Sequence, residues 1–214
     1  MRPILALLLL MTGPAHAGAW LREEGTGFLS TSVLQKQDGS SEASVYVEYG
    51  ARPNLTLGIK ADATLIAGHV TDGTVLGFAR KPIPRQSVDY KLSYTLGLGA
   101  DIDTHTNALL RTQLSYGRGL KWGERFGWLA IDAIYDWSLA GTSDTAKLDG
   151  TVGFSLNPQV KVMMQVFVSH DDDTTIKLAP SVVWQPGGEG QSYQFGLEAE
   201  DGAIALRFGL WRTF

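Results

Sequence analysis

Residues 88–103 read VDYKLSYTLGLGADID, sixteen positions of unbroken alternation. Val88, Tyr90, Leu92, Tyr94, Leu96, Leu98, Ala100 and Ile102 share one phase; Asp89, Lys91, Ser93, Thr95, Gly97, Gly99, Asp101 and Asp103 share the other. Successive side chains of a strand leave opposite faces, so this run makes one strand that is apolar on one side and polar on the other. A helix of the same residues would scatter both classes around its circumference. The pattern returns down the chain. In LTLGIKADATL, Leu55, Leu57, Ile59, Ala61, Ala63 and Leu65 oppose Thr56, Gly58, Lys60, Asp62 and Thr64. Leu148, Val152, Phe154 and Leu156 oppose Lys147, Asp149, Thr151, Gly153 and Ser155, and Tyr193, Phe195, Leu197 and Ala199 oppose Ser192, Gln194, Gly196, Glu198 and Glu200. Alternation predicts about twelve strands, near 27–36, 43–50, 54–65, 74–82, 88–103, 107–118, 127–139, 145–157, 159–170, 174–185, 191–200 and 203–214. The first and fourth patterns are the weakest, and without them the count is ten.

The first 17 residues stand apart. Arg2, an apolar run from Ile4 to Met11 and the closing Ala15-His16-Ala17 predict a secretory signal peptide cleaved near Ala17, too short in its apolar part to span a membrane. That leaves 18–214 as a single transmembrane β-barrel domain. The chain has no cysteine, which excludes both a disulfide scaffold and lipid attachment at the cleavage point. A net charge of −4 argues against nucleic acid as a partner. No segment after residue 17 approaches the roughly 18 consecutive apolar residues of a spanning helix. Any membrane residence must therefore rest on strands.

Alternation alone fits two architectures. A soluble sandwich or lipocalin-like barrel turns its apolar face inward, whereas a membrane barrel turns it to lipid and keeps a polar lumen. The polar phase here carries Lys60, Asp62, Lys91, Asp101, Arg111, Asp132, Asp136, Lys147, Asp149, Lys161, Lys177, Glu198 and Arg207, with acids and bases nearly balanced, and these are the predicted lumen-lining residues. The apolar phase is aromatic near strand ends, with Tyr49, Tyr90, Tyr116, Phe154, Trp184, Tyr193 and Phe214 at one rim and Tyr135 and Trp137 at the other. Two aromatic belts suit rings held at headgroup level. Closure, moreover, is what satisfies every backbone group in lipid. The expected fold is all-β, a closed antiparallel up-and-down transmembrane β-barrel.

The last strand sets Ile204, Leu206, Phe208, Leu210 and Phe214 against Arg207, Gly209 and Thr213, and the chain ends on Phe214. Together with the export signal and the even set of amphipathic strands, this resembles the outer-membrane β-barrel proteins of Gram-negative bacteria. The resemblance is architectural and names no subfamily. It implies residence in the bacterial outer membrane and contact with its lipid and lipopolysaccharide. It also implies that Leu206, Phe208, Leu210 and Phe214 form the signal read by the barrel-assembly machinery. Arg212 departs from the family pattern, which has an apolar or aromatic residue there; at the rim its side chain can reach water.

An even strand number puts both termini in the periplasm. Turns on that side are then GARPN, ARKPIPRQS, GRGLKWGERFG, NPQ and QPGGEGQ; outer tips are QKQDGSSE, IAGHVTDGT, DIDTHTN, AGTSDT, HDDDTT and EDG. Counting phase onward from the strands places Asp101, Asp103 and His105 together on the lumenal face at the outer rim, with Asp171 and Asp173 pointing inward from a second strand. Such carboxylates could hold a cation or, beside a histidine, activate water. A solvated acidic rim is the plainer reading. Ser169 and His170 are adjacent and point to opposite faces, and the G-x-S-x-G and HExxH motifs are absent, so no catalytic residue, metal ligand or cofactor site is assigned. The expected function is a narrow porin-like channel for small solutes or ions, not an enzyme. The alternative is a structural barrel with a plugged, salt-bridged lumen and an acidic rim for cations or lipopolysaccharide. A hydrolase using Asp101, Asp103 and His105 is the remote third.

Overall fold

A computed structural model of the chain describes residues 18–84, 87, 89–103, 105–139, 144–187 and 190–214. The predicted signal peptide and Val88, the first residue of the long alternating run, lie outside them. The described residues form twelve strands: β1 (Gly27–Gln35), β2 (Ser41–Arg52), β3 (Leu55–Ile66), β4 (His69–Pro82), β5 (Tyr90–Ile102), β6 (Thr106–Trp122), β7 (Arg125–Ser138), β8 (Thr145–Asn157), β9 (Val160–His170), β10 (Thr174–Trp184), β11 (Gln191–Glu200) and β12 (Ala203–Thr213). Each pairs antiparallel with its neighbours in sequence, and β1 pairs with β12 to close the barrel. The ladder runs from Phe28 opposite Thr213 to Gln35 opposite Leu206. Phe214 adds the last rung itself: the Gly27 amide donates to the Phe214 carbonyl at 2.6 Å, and the Phe214 amide donates back at 3.0 Å. Closure leaves no strand edge for lipid to strip of partners.

Burial decides which face is wet. The fully buried side chains of greatest volume are Glu48, Thr56, Ser93 and Ser115, while Leu98 is 65% exposed and Ile59 57%. Acids and hydroxyls inside with leucines outside is the inverse of a soluble core, and the outward belt is a surface for lipid. At the end where the termini lie, that belt is edged by Tyr90 stacked on Tyr116 at 6.1 Å and Trp184 against Tyr193 at 5.9 Å; Tyr135 and Trp137 meet at 4.5 Å at the other end. Leu96, at the centre of β5, is 53% exposed on the lipid side. Leu96→Arg is expected to cost about 2–4 kcal/mol, the price of a cation near the bilayer midplane. Urea titration of the variant folded into lipid vesicles measures it.

Two predicted turns are strand instead. IAGHVTDGT shrinks to Ala67-Gly68, both left-handed with φ of 50° and 81°, and His69 starts β4 rather than lying in a loop. Two consecutive left-handed residues are what a tight hairpin needs to match the strand twist. Likewise GRGLKWGERFG closes at Gly123-Glu124, with Gly123 at φ 62°, so β6 and β7 continue past the barrel as a long hairpin. Trp122 edges against Phe154 there at 6.2 Å. Turn-forming residues were read as a loop in both places because glycine and charge mark a turn without marking its length.

Candidate functional site

The closed barrel encloses a lumen, and residues 18–24 lead into it. The Ser93 hydroxyl of β5 donates to the Gly18 carbonyl at 2.6 Å, and the Arg22 amide donates to the Thr56 hydroxyl of β3 at 2.9 Å. Gly117 on β6 makes the approach feasible, because a Cβ there would sit 2.5 Å from the Trp20 ring and 2.7 Å from the Ala19 Cβ. Trp20 then packs with Trp211 on a buried group of Trp128, Met163 and Val183. This inward apolar cluster was not expected from the sequence. Its signal was there: Trp128 shares phase with Asp132 and Asp136, and Trp211 shares phase with Arg207 and Gly209. Lumenal parity, followed through without regard to residue type, finds both.

Beside the inserted segment lies an ion cluster centred on Glu48 of β2. Its carboxylate accepts from Arg22 Nε at 2.7 Å, from Arg80 of β4 and from the Tyr46 hydroxyl. Arg80 also donates to Tyr46 at 3.1 Å and to Thr95 at 3.2 Å. Tyr46 stacks on Phe78 at 5.6 Å, and the Arg22 guanidinium lies 4.5 Å over the Phe28 ring. Both arginines face rings and share one acid, so charge and desolvated aromatic surface are matched in one layer. Neither Arg22 nor Arg80 figured among the expected lumen residues, nor did Glu48 as their hub.

The thirteen predicted lumen residues all fall on the lumenal phase of their strands. They resolve into separate pairs along the wall. Arg111 grips Asp136 with two bonds, 2.6 and 2.7 Å, and Lys147 reaches the same acid at 2.9 Å. Lys60 pairs with Asp62 at 2.9 Å on β3. Across the barrel Glu198 is shared by Arg207 and, at 3.7 Å, by Lys177, which also holds Glu200 at 3.0 Å. Asp101 accepts from Thr74 at 2.6 Å, and Lys91 and Lys161 are half-buried toward the terminal end. Asp132 and Asp149 face each other across β7 and β8. A cavity of about 630 Å³ remains, walled by Lys60, Asp62, Arg111, Lys147, Lys177 and Arg207 among others, with Gly18 and Trp211 also touching it.

The rim residues do not converge. β5 ends at Ile102, so Asp103 and His105 sit in a turn rather than on the lumenal face with Asp101. The Asp103 carboxylate accepts from the His105 amide at 2.7 Å, and the Asp103 amide donates to the His105 carbonyl at 3.1 Å. Asp171 and Asp173 likewise close the β9–β10 turn, where amides of Asp173 and Asp172 hold the Asp171 carboxyl below its ordinary value. Turn carboxylates are consumed by local amides, which is why extending strand parity past the last ladder pair misplaced them. Among the described residues no group of three or more His, Asp or Glu could hold a metal ion. His170 meets Thr174 at 3.0 Å, facing away from Ser169.

No protein-family model and no curated protein matches the sequence. Solved structures do match in fold. The KdgM porin superposes with a TM-score of 0.68 at 7% identity, covering 87% of this chain and 99% of its own. The barrel shares the fold of outer-membrane porins. The NanC porin superposes at 0.65 with 11% identity, over 86% of this chain and 98% of its own. An outer-membrane channel from Pseudomonas putida F1 superposes at 0.56 with 12% identity, over 94% of this chain and 99% of its own. At these identities the likeness is one of architecture, and residue roles come from the geometry above.

Proposed function

We propose that this chain is a narrow outer-membrane channel for small, hydrophilic solutes or ions, constricted at the terminal end by its own residues 18–24. The carrying observation is the open cavity inside the closed barrel, whose wall carries paired charges beside aromatic and aliphatic side chains. A polar lumen stays hydrated, and opposed charges along it pass solutes without trapping either sign. The shared fold with porins and an outer-membrane channel supports the reading. The outer membrane, with lipopolysaccharide around the outer tips, is the proposed setting, and the ladder-closing Phe214 with Leu206, Phe208 and Leu210 is the proposed address for the assembly machinery. Refolded protein in a planar bilayer is expected to give discrete single-channel steps; their absence at every voltage retires the reading.

A second reading has its own observation. Trp20, Trp211, Trp128, Met163 and Val183 seal part of the lumen with apolar packing, as a plugged structural barrel would. Ion selectivity separates the two. Asp136→Asn leaves Arg111 and Lys147 with their charge and removes the acid between them, so a channel through this lumen is expected to shift its reversal potential toward anion preference under a salt gradient. A plugged barrel gives no current from which a reversal potential could be read. A hydrolase at Asp101, Asp103 and His105 gains no support from the contacts of the two carboxylates, since Asp101 accepts from Thr74 and Asp103 from the His105 backbone amide.

A further inference from the structure

Among the described residues, Asp132 has no positive partner in contact with it. The Gln113 amide donates to it at 3.1 Å, and the Ser115 hydroxyl and the Gly18 backbone amide lie beside it, all neutral. Its cross-strand neighbour is another acid, Asp149, and like charges directly opposed on a ladder are unfavourable. Arg80, the nearby cation, is committed to Glu48. Gly18 meanwhile is buried against the same three side chains: a Cβ on it would lie 2.5 Å from Ser115 Oγ, 2.7 Å from Asp132 Oδ1 and 2.7 Å from Gln113 Nε2. The Ser93 hydroxyl fixes its carbonyl from the other side. The backbone nitrogen of residue 18 is thus held in a small polar socket that ends on a carboxylate, with no room for any side chain.

We propose that removal of residues 1–17 turns this socket into a charged lock, in which the new α-ammonium of Gly18 pairs with Asp132 inside the barrel and seats the constriction. Hydrolysis of the 17–18 peptide bond leaves a carboxylate on the departing signal and converts the Gly18 amide nitrogen to a primary amine that is protonated at neutral pH. A single neutral donor becomes a charged one with three hydrogens, at a lumenal acid whose contacting donors lack charge. Charge-assisted bonds are roughly twice as strong as neutral ones. The cation also relieves the opposition of Asp132 and Asp149. Export processing and lumen closure are then one event: the unprocessed chain lacks the charge that locks the segment. This rests on the signal-peptide reading and deepens the channel reading.

The test uses processed protein isolated from outer membranes. Its intact mass must correspond to a chain starting at Gly18; any other start overturns the proposal and leaves the channel reading untouched. The protein, folded in detergent, is then exposed to an acetylating ester at neutral pH, and the acetylated N-terminal peptide is quantified by mass spectrometry against exposed Lys121 in the same digest. The wild-type α-amine is expected to react at least about tenfold more slowly than that of Asp132→Asn, the protection a charge-assisted hydrogen bond confers. Equal rates overturn the lock. The same ratio taken on wild-type protein before and after heat unfolding gives the comparison without a variant, and no protection in the folded state overturns it equally. Neither readout needs a current, so failure of the lock and failure of the channel are told apart.

Discussion

Glu48→Ala is expected to destabilise the barrel by about 3–5 kcal/mol, the cost of leaving buried charge without its counter-ion. Glu48 is 2% exposed and accepts from Arg22, Arg80 and Tyr46 together. Alanine leaves two guanidiniums in one desolvated layer, repelling each other over the Phe28 and Phe78 rings. Arg22 belongs to the inserted segment, so its release should also loosen residues 18–24 from the wall. Two measurements check this: a lower urea midpoint in the folded-to-unfolded gel shift, and tryptic cleavage after Arg22 in folded protein. An unchanged midpoint would mean that Arg22 and Arg80 find water or other acids, and that Glu48 is not their hub. Glu48→Gln should fall between, because it keeps acceptor geometry without charge.

Opening the constriction sterically is the second large effect. Gly117→Val places its branched side chain where Trp20 and Ala19 now rest, with the Cβ alone 2.5 Å from the indole. Valine suits a strand, so β6 itself should hold. The segment must yield, and single-channel conductance is expected to rise several-fold, with Trp20 emission shifting red as the ring reaches water. Lost packing should cost about 1–3 kcal/mol. Gly119→Val is the matched control, since it lies on the same face of the same strand with nothing within 4 Å of its Cβ. A rise in both variants would point to a general loosening of the wall. A rise in neither would place the limiting constriction elsewhere in the lumen.

Most of the architecture was readable along the chain. Where β5 and β6 run side by side, every predicted outward residue from Tyr90 to Ile102 takes its expected phase, and the pairing of Asp101 with Asn107 keeps both on the lumenal side. A period of two carries facing information from one residue to the next without error as long as the ladder continues. It fails where the ladder stops. Asp103, His105, Asp171 and Asp173 were assigned a face by extrapolating past the last rung, into turns where the backbone no longer alternates. The two tight hairpins at Ala67-Gly68 and Gly123-Glu124 show the converse error, in which turn-like composition concealed strand.

The candidate site was half legible. Lys60, Arg111, Asp136, Lys147, Glu198 and Arg207 could be placed in the lumen by phase, but which acid meets which base could not. Arg111 and Asp136 are 25 positions apart, and they meet because β6 and β7 share a register that turn length sets. Residues 18–24 have no alternation to read, so nothing local in GAWLREE distinguishes a segment outside the barrel from one threaded through it. Their place depends on Ser93, Gly117, Thr56 and Glu48, contributed by four strands.

By itself, then, the sequence determined that this chain forms ten or twelve strands with one apolar face each, and which side chains share a face, since these follow from a two-residue period and backbone hydrogen bonding. Only closure of the barrel decided what those faces enclose. Bringing β1 against β12 turned a row of polar phases into one interior, set Glu48 between two arginines, and packed Gly18 against Asp132. Those relations span distances along the chain that no local period encodes.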